Sequence, residues 1–263
     1  MMKTEAIAKA LIDSDRHYFE LNAKTNLLGP FQLARLPGFE ALPAGLVSHQ
    51  VAPVDGDQQQ SRLNEWLDCI ERSCYSWGNP LTRIYSNNCC AVQHLLEAHG
   101  YLCREEIGFV RTQPALAPAA ALELCPIEDE TGWQIKLQMH AESTTVVDGH
   151  PCPPEQWVNL ERARSQSGRV RFYLIKHGDR IHGTLGLMRV RSVLRLKNLY
   201  LRPGSRGRGI GETTLNLIFK QIDGQRIKAV VLLALRGETG ERFYRKLGMK
   251  AVCSLHEWSR ELK

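Results

Sequence analysis

No run of about 18 apolar residues occurs anywhere in the 263 residues, so no segment reads as a membrane-spanning helix. The opening Met1-Met2-Lys3-Thr4-Glu5 passes into a polar helical pattern without the apolar core of a secretion signal. Eight cysteines are present, yet no two form C-x-x-C and no Cys/His set has zinc spacing. His150 and Cys152 lie close, but two donors in a Pro-rich loop do not make a metal site, and no metal is expected. Reduced thiols in a cytoplasmic protein are the simplest account of the cysteines. Aromatics make up only 7% of the chain and are nowhere interleaved with a basic run, and no nucleic-acid-reading motif is present. Nucleic acid and membrane are therefore set aside as partners.

What is there is ordinary for a folded protein: 43% apolar and 24% charged residues, in a length that suits one large domain or two small ones. The charge is uneven. Residues 1–120 carry 10 Lys+Arg against 13 Asp+Glu, a net −3, and residues 121–263 carry 24 against 15, a net +9. A basic half gathers anionic ligands. It also contains the most informative stretch, Leu199 to Phe219, where an apolar strand runs into a Gly-rich turn that opens an amphipathic helix. Gly207, Gly209 and Gly211 leave backbone N–H groups uncovered at the positive end of the helix dipole, a ready site for a phosphate or pyrophosphate. Arg206 and Arg208 add mobile positive charge. A nucleotide P-loop would need Gly-Lys-Ser/Thr, which is absent, and a dinucleotide loop would need G-x-G-x-x-G where this chain has G-x-G-x-G. What stands here is R-x-x-G-x-G, Arg206-Gly207-Arg208-Gly209-Ile210-Gly211.

Taken in order, residues 4–26 read as a helix, Phe31–Leu36 and Gly45–Val51 as strands, Ser61–Ser73 as a helix, Leu81–Tyr85 as a strand, Asn88–His99 as a helix capped by Gly100, and Tyr101–Arg111 as a strand. The uncharged, proline-bearing residues 112–121 read as a linker between an N-terminal α/β domain (1–111) and a second domain (122–263). The second domain starts with strand Leu122–Pro126, a helix over Gly132–Glu142 with Trp133, Leu137 and Ala141 on one stripe, a loop over Thr144–Pro154 and a helix over Glu155–Arg164. A β-hairpin over Arg169–Val190 and strand Val193–Leu201 lead into the Gly loop and its helix. Strand Lys228–Leu235, helix Glu238–Leu247 capped by Gly248, and strand Met249–Trp258 close the chain. Setting Gly100 on Gly248 aligns Leu95 with Phe243 and Leu96 with Tyr244, so the N-terminal half reads as a worn copy of the same unit, without the Gly loop and without the tyrosine; chance recurrence of a common α/β pattern is the competing account.

From Leu122 onward, the order β-α-α-β-β-β-α-β-α-β resembles the GNAT superfamily of N-acetyltransferases over about 140 residues. Four features carry the resemblance: the hairpin from Phe172-Tyr173-Leu174-Ile175 through Gly183-Thr184-Leu185-Gly186; Asn198-Leu199-Tyr200-Leu201-Arg202-Pro203; the R-x-x-G-x-G loop; and Phe243-Tyr244-Arg245-Lys246-Leu247-Gly248-Met249. The fold it implies is an α/β (α+β) GNAT fold, a mixed, mostly antiparallel sheet flanked by helices, preceded by a smaller α/β domain of similar kind. It implies acetyl-CoA bound between two splayed strands, Val193–Leu201 and Lys228–Leu235, with backbone groups of Leu199, Tyr200 and Leu201 along the pantetheine arm. The amides from Gly207 to Gly211, through Arg208, Gly209 and Ile210, would hold the pyrophosphate, with Arg206 beside them. Tyr244 matches the position that protonates the departing CoA thiolate.

Two departures matter. Gly237 stands where many members carry Asn, and Lys197-Asn198 where many carry a Glu that serves as base or holds water. At pH 7 a lysine amine is only ~0.04% neutral and an α-amine about 14%. Without a base the chemistry favours a low-pKa amine, or a base borrowed from Glu142, Asp148 or His150 in the acceptor-side segment. Cys253 is the only cysteine in the final 100 residues, which gives a covalent acetyl-cysteine route little support. The expected activity is acetyl transfer from acetyl-CoA to a small-molecule or peptide amine in a ternary complex. The alternative is a non-catalytic acyl-CoA sensor, and a homodimer is left open.

Overall fold

The computed structural model describes residues 3–28, 31–39, 44–47, 57–78, 81–86, 93–112, 122–142, 146–147, 150–151, 153–222 and 227–261. Helix α1 (Thr4–Glu20) buries Ile7, Ala10, Leu11, Ser14, Asp15 and Tyr18, one face at helical spacing. It ends six residues short of the sequence expectation: Asn22 adopts a left-handed φ of 64° and β1 (Lys24–Leu28) follows, paired with β2 (Phe31–Arg35). Then come β3 (Ala44–Val47), α2 (Asp57–Ser76), β4 (Leu81–Ser86), α3 (Gln93–Ala98) and β5 (Leu102–Arg111). The proposed linker, apart from Thr112, lies outside the described residues.

The second half runs β6 (Glu123–Pro126), α4 (Glu130–Ala141), two short strands β7 (Val146–Val147) and β8 (His150–Pro151), α5 (Pro154–Gln166), β9 (Val170–His177), β10 (Arg180–Val190), β11 (Val193–Leu201), α6 (Ile210–Ile222), β12 (Ala229–Leu235), α7 (Thr239–Lys246) and β13 (Lys250–Glu261). The small β7–β8 pair falls inside the segment read as a loop. The stripe anticipated on α4 is rotated: Gly132, Trp133, Lys136, Met139 and His140 are buried, and Ala141 is exposed. Among the described residues no helix is long and apolar enough to cross a membrane.

Eleven strands form one mixed, mostly antiparallel sheet in the order β1-β2-β3-β4-β13-β5-β12-β11-β10-β9-β6; the parallel pairs are β3 with β4 and β11 with β12. The repeat seen at Gly100 and Gly248 extends over the whole first half. A constant shift of 148 residues, from Gly100 to Gly248, carries α1 onto α5, β1–β2–β3 onto β9–β10–β11, α2 onto α6, β4 onto β12, α3 onto α7 and β5 onto β13. The two caps are alike: Gly100 and Gly248 have φ of 77° and 73°, and the next N–H reaches back to Leu96 and to Tyr244 at 2.9 and 3.1 Å. Fully buried Leu67 and Ile70 of α2 fall on fully buried Leu215 and Ile218 of α6.

The halves divide the sequence but share the sheet. After its capping glycine, each half sends its last strand into the other: β5 pairs with β12, β13 pairs with β4, and β5 and β13 pair with each other. Helix α1 lies across this junction, with Ile7, Ala10 and Leu11 against Val110, Val193, Ala229 and Val231. The other face carries the largest core cluster, where α6 and α7 meet the sheet through Leu196, Leu215, Ile218, Leu232 and Tyr244.

Candidate active site

Strands β11 and β12 pair only from Val193↔Ala229 to Arg195↔Val231. Beyond that point β12 stays paired with β5 as far as Leu235↔Glu106, while β11 stays paired with β10 as far as Leu201↔Gly183. The two strands part, and the main-chain groups of β11 that face the gap have no ladder partner there. A bulge accompanies the parting. Between Thr184↔Tyr200 and Gly186↔Lys197, β11 has one more residue than β10, and Asn198 takes a left-handed φ of 50°. An extra residue in one strand bends it and leaves a backbone group free of the ladder. Asparagine is among the few residues that enter this conformation readily.

The Gly loop lies at the far end of the gap. Pro203–Ser205 forms a single 3-10 turn, Gly207 and Gly209 have φ of 72° and 76°, and α6 starts at Ile210. The first backbone bond into the helix runs from Thr213 N–H to the Gly209 carbonyl at 3.0 Å, so the preceding amides lack an intrahelical partner. A Cβ at Gly207 or Gly209 would meet no atom within 4 Å, whereas one at Gly211 would come within 2.7 Å of the Phe243 ring. The first two glycines serve the turn, and the third lets α6 approach α7. Arg208 is exposed beside the amides. Arg206 folds back: its Nε donates to the Leu201 carbonyl at 3.0 Å and its guanidinium lies 5.7 Å from the Tyr200 ring. The loop is braced from β10, where the His182 carbonyl accepts from Arg202 N–H at 2.9 Å and the ring Nδ1 lies 2.9 Å from Ser205 Oγ.

Tyr244 is 8% exposed and packs in one cluster with Leu196, Leu199 and Leu201 of β11 and Leu232 and Ala234 of β12, the apolar side chains on both sides of the gap. Burial pushes its phenol up to about 12, and Arg195 opposes the shift. Gly237 is left-handed (φ 79°), and its N–H donates to Glu241 Oε2 at 2.7 Å, which fixes the turn into α7 without an Asn side chain.

The sequence reading found no carboxylate at Asn198, and here the structure corrects it: α5 delivers one. Glu161 Oε1 accepts from Asn198 Nδ2 at 2.5 Å. The other oxygen lies 2.9 Å from Lys136 Nζ of α4 and 3.9 Å from His140 Nε2. Tyr18 of α1 joins the same group, its hydroxyl accepting from Asn198 Nδ2 at 3.3 Å and its ring lying 4.1 Å under the Arg164 guanidinium. Next along β11, Arg195 Nη2 is 2.9 Å from Asp15 Oδ1, both about 1% exposed. Lys197 Nζ is 3.5 Å from the same oxygen and 4.3 Å from the Tyr18 ring. Burial pushes the Lys197 amine down to about 8, against the pull of Asp15. No local signal marked this network: the stripe read on α4 was Trp133, Leu137 and Ala141, and Lys136 falls outside it.

Of the other base candidates, Glu142 is engaged by Arg202 at 3.1 and 3.2 Å. Asp148 and the side chain of His150 lie outside the described residues, as does Cys152. Among the described residues no three His, Cys, Asp or Glu side chains come together as a metal site. Burial pushes the Cys253 thiol up to about 11, which keeps it protonated and a poor nucleophile at neutral pH.

Residues 168–250 match the family model described as Acetyltransferase (GNAT) domain. No curated protein matches the chain in sequence. Solved structures resemble it over nearly its whole length. A GCN5-related N-acetyltransferase from Kribbella flavida has a TM-score of 0.67 at 13% identity, covering 96% of this chain and 95% of that one. Another, from Sphaerobacter thermophilus, has 0.65 at 17%, covering 89% and 77%. A tandem GNAT protein from the clavulanic acid biosynthesis pathway has 0.57 at 9%, covering 97% and 96%. At these identities the likeness is one of fold.

Proposed function

From a chain that has the GNAT fold and carries a GNAT acetyltransferase domain at residues 168–250, we propose an enzyme that transfers acetyl from acetyl-CoA to a primary amine by direct attack in a ternary complex. One observation carries this reading: β11 parts from β12 beside a bulge, with orphan helix amides at one end of the gap and a buried tyrosine along it. The gap offers unpaired main-chain groups to an extended amide-bearing arm, as a sheet edge does to an added strand. The open space at Gly207 and Gly209 suits close approach of a pyrophosphate to the N-terminus of α6. Each charge-assisted bond there contributes roughly 1.5–3 kcal/mol.

Bound acetyl-CoA supplies an activated acyl group on a thiol leaving group. The chain orients it along β11, excludes water with the apolar side chains around the gap, and keeps a proton on Tyr244 for the departing sulfur. Glu161 is no base in this scheme, since both of its oxygens are engaged. Glu142 is held by Arg202. With Glu161 and Glu142 so engaged, and with Asp148 and the His150 side chain outside the described residues, the chemistry favours a small-molecule or peptide amine of low pKa, an α-amine before a lysine side chain, because about 14% of the former and ~0.04% of the latter is neutral at pH 7.

The test is calorimetric titration with acetyl-CoA together with thiol release over a panel of amines. Binding with turnover favouring α-amines is expected. Binding with no thiol release on any amine would instead identify an acyl-CoA sensor, and absence of binding would remove the basis of the proposal.

A further inference from the structure

The bulge at Asn198 is an unusual conformation for a strand, and three helices converge on it. From α5, Glu161 Oε1 accepts from Asn198 Nδ2 at 2.5 Å. From α1, Tyr18 Oη accepts from the same nitrogen at 3.3 Å. From α4, Lys136 Nζ lies 2.9 Å from the second oxygen of Glu161 and donates to Thr184 Oγ1 at 3.3 Å. Thr184 sits on β10 opposite Tyr200, at the edge of the bulge on the facing strand. The contacts thus grip both strands, Asn198 on β11 and Thr184 on β10, with a buried ion pair between the grips. Glu161, Lys136 and Thr184 are 0% exposed. An ion pair so deeply buried is a weak source of stability compared with apolar side chains of the same volume. Its geometry, by contrast, is directional, with Glu161 facing Asn198 and Lys136 facing Thr184.

We propose that Glu161, Lys136 and Tyr18 form a clamp that fixes the bulge at Asn198 and thereby aims the backbone of β11 at the acetyl group. They are positioning residues. Tyr18 makes the N-terminal half part of the working geometry of the C-terminal half, although that half has no Gly loop of its own. The inference rests on the gap being the acetyl-CoA site.

Two double variants separate positioning from packing. Glu161→Leu with Lys136→Met removes the ion pair and the acceptor for Asn198. Glu161→Gln with Lys136→Met also removes the ion pair but keeps an oxygen for Asn198. Neither leaves a buried charge of the pair unmatched, and circular dichroism with thermal unfolding verifies the fold of each. The first readout is the ratio of the dissociation constants of CoA and acetyl-CoA by titration calorimetry, which needs neither acceptor nor turnover. The second is kcat on the best amine of the panel. Wild type should prefer acetyl-CoA to CoA. The Leu/Met variant should keep its CoA affinity within about threefold, lose that preference and lose at least about tenfold in kcat, since a misplacement of about 1 Å can reduce rate about 100-fold. The Gln/Met variant keeps the acceptor for Asn198 but loses the Lys136 contact to Thr184, so it should fall between wild type and the Leu/Met variant in both readouts. Tyr18→Phe loses only its 3.3 Å contact and should stay closer to wild type than either double variant.

Equal behaviour of the two double variants, or a wild type indifferent to the acetyl group, overturns the clamp. A wild type that binds acetyl-CoA but acetylates no amine overturns the proposed reaction, while the binding ratio still decides the clamp. A wild type that binds neither CoA nor acetyl-CoA overturns both.

Discussion

The Tyr244 phenol, with its pKa raised to about 12 by burial, keeps its proton throughout the neutral range and can offer it to a thiolate. A thiol of pKa about 8.5 leaves fairly well unaided. Tyr244→Phe should therefore lower kcat by only about 3- to 10-fold, below the usual range for general acids, and leave the affinity for acetyl-CoA within about twofold. An unchanged kcat would end the acid role. The same group makes a stability prediction. Its folded pKa lies above the unfolded value of 10.0, so its contribution is complete below pH 10 and is lost as pH rises through about 12. Urea midpoints of wild type and Tyr244→Phe should accordingly fall by different amounts between pH 9 and 11, with the larger fall in wild type. The loop glycines make a contrasting pair. Gly209→Ala meets no neighbour but must hold φ near 76°, a strain of about 1–2 kcal/mol; its main effect should be weaker CoA binding, about tenfold by calorimetry. Gly211→Ala would press on Phe243 and separate α6 from α7, destabilising by about 1–3 kcal/mol in urea unfolding.

Helix α1 shows what an element does beyond filling space. It covers the junction of β5, β12 and β13 and brings Asp15 and Tyr18 to β11. The approach is close enough that a Cβ on Gly108 of β5 would collide with Cys253 Sγ and lie 2.6 Å from Leu11 Cδ2. Leu11→Ala should cost about 2–5 kcal/mol and Gly108→Ala about 1–3 kcal/mol. The double variant should be less unstable than their sum, because shortening Leu11 removes one of the two obstacles. A double-mutant cycle by urea unfolding measures this, and strict additivity would mean that the two do not press on each other. Legibility in the sequence follows the same physics. The β11–loop–α6 unit and the capped α7 were readable because their signals are local: glycines at fixed spacing, an apolar strand, helical periodicity. The end of α1 was not, since residues 24–28 become a strand only by pairing with β2. The partners of Asn198 were not, because Glu161 and Tyr18 meet it across 37 and 180 positions of sequence, and Lys136 meets Glu161 across 25, where no periodicity reports a contact.

At the scale of the molecule, the repeat was visible through its capping glycines, but the exchange of last strands was not, since each half has a complete set of elements. Residues 122–263 alone lack β5, the strand that stands between β12 and β13. Expressed separately, residues 1–121 and 122–263 should each be insoluble or unfolded, and expressed together they should reassemble into a complex of native circular dichroism. A soluble, folded 122–263 fragment would show that the C-terminal half can close its own sheet. The exchange also fixes an order of events during synthesis. Strand β4 leaves the ribosome early, but its neighbour β13 begins at Lys250. At about 5–20 residues per second the first half waits roughly ten to thirty seconds with an open edge. Such an edge is a template for pairing with foreign chains. A nascent chain stalled before residue 250 is therefore the state in which this protein most needs a chaperone.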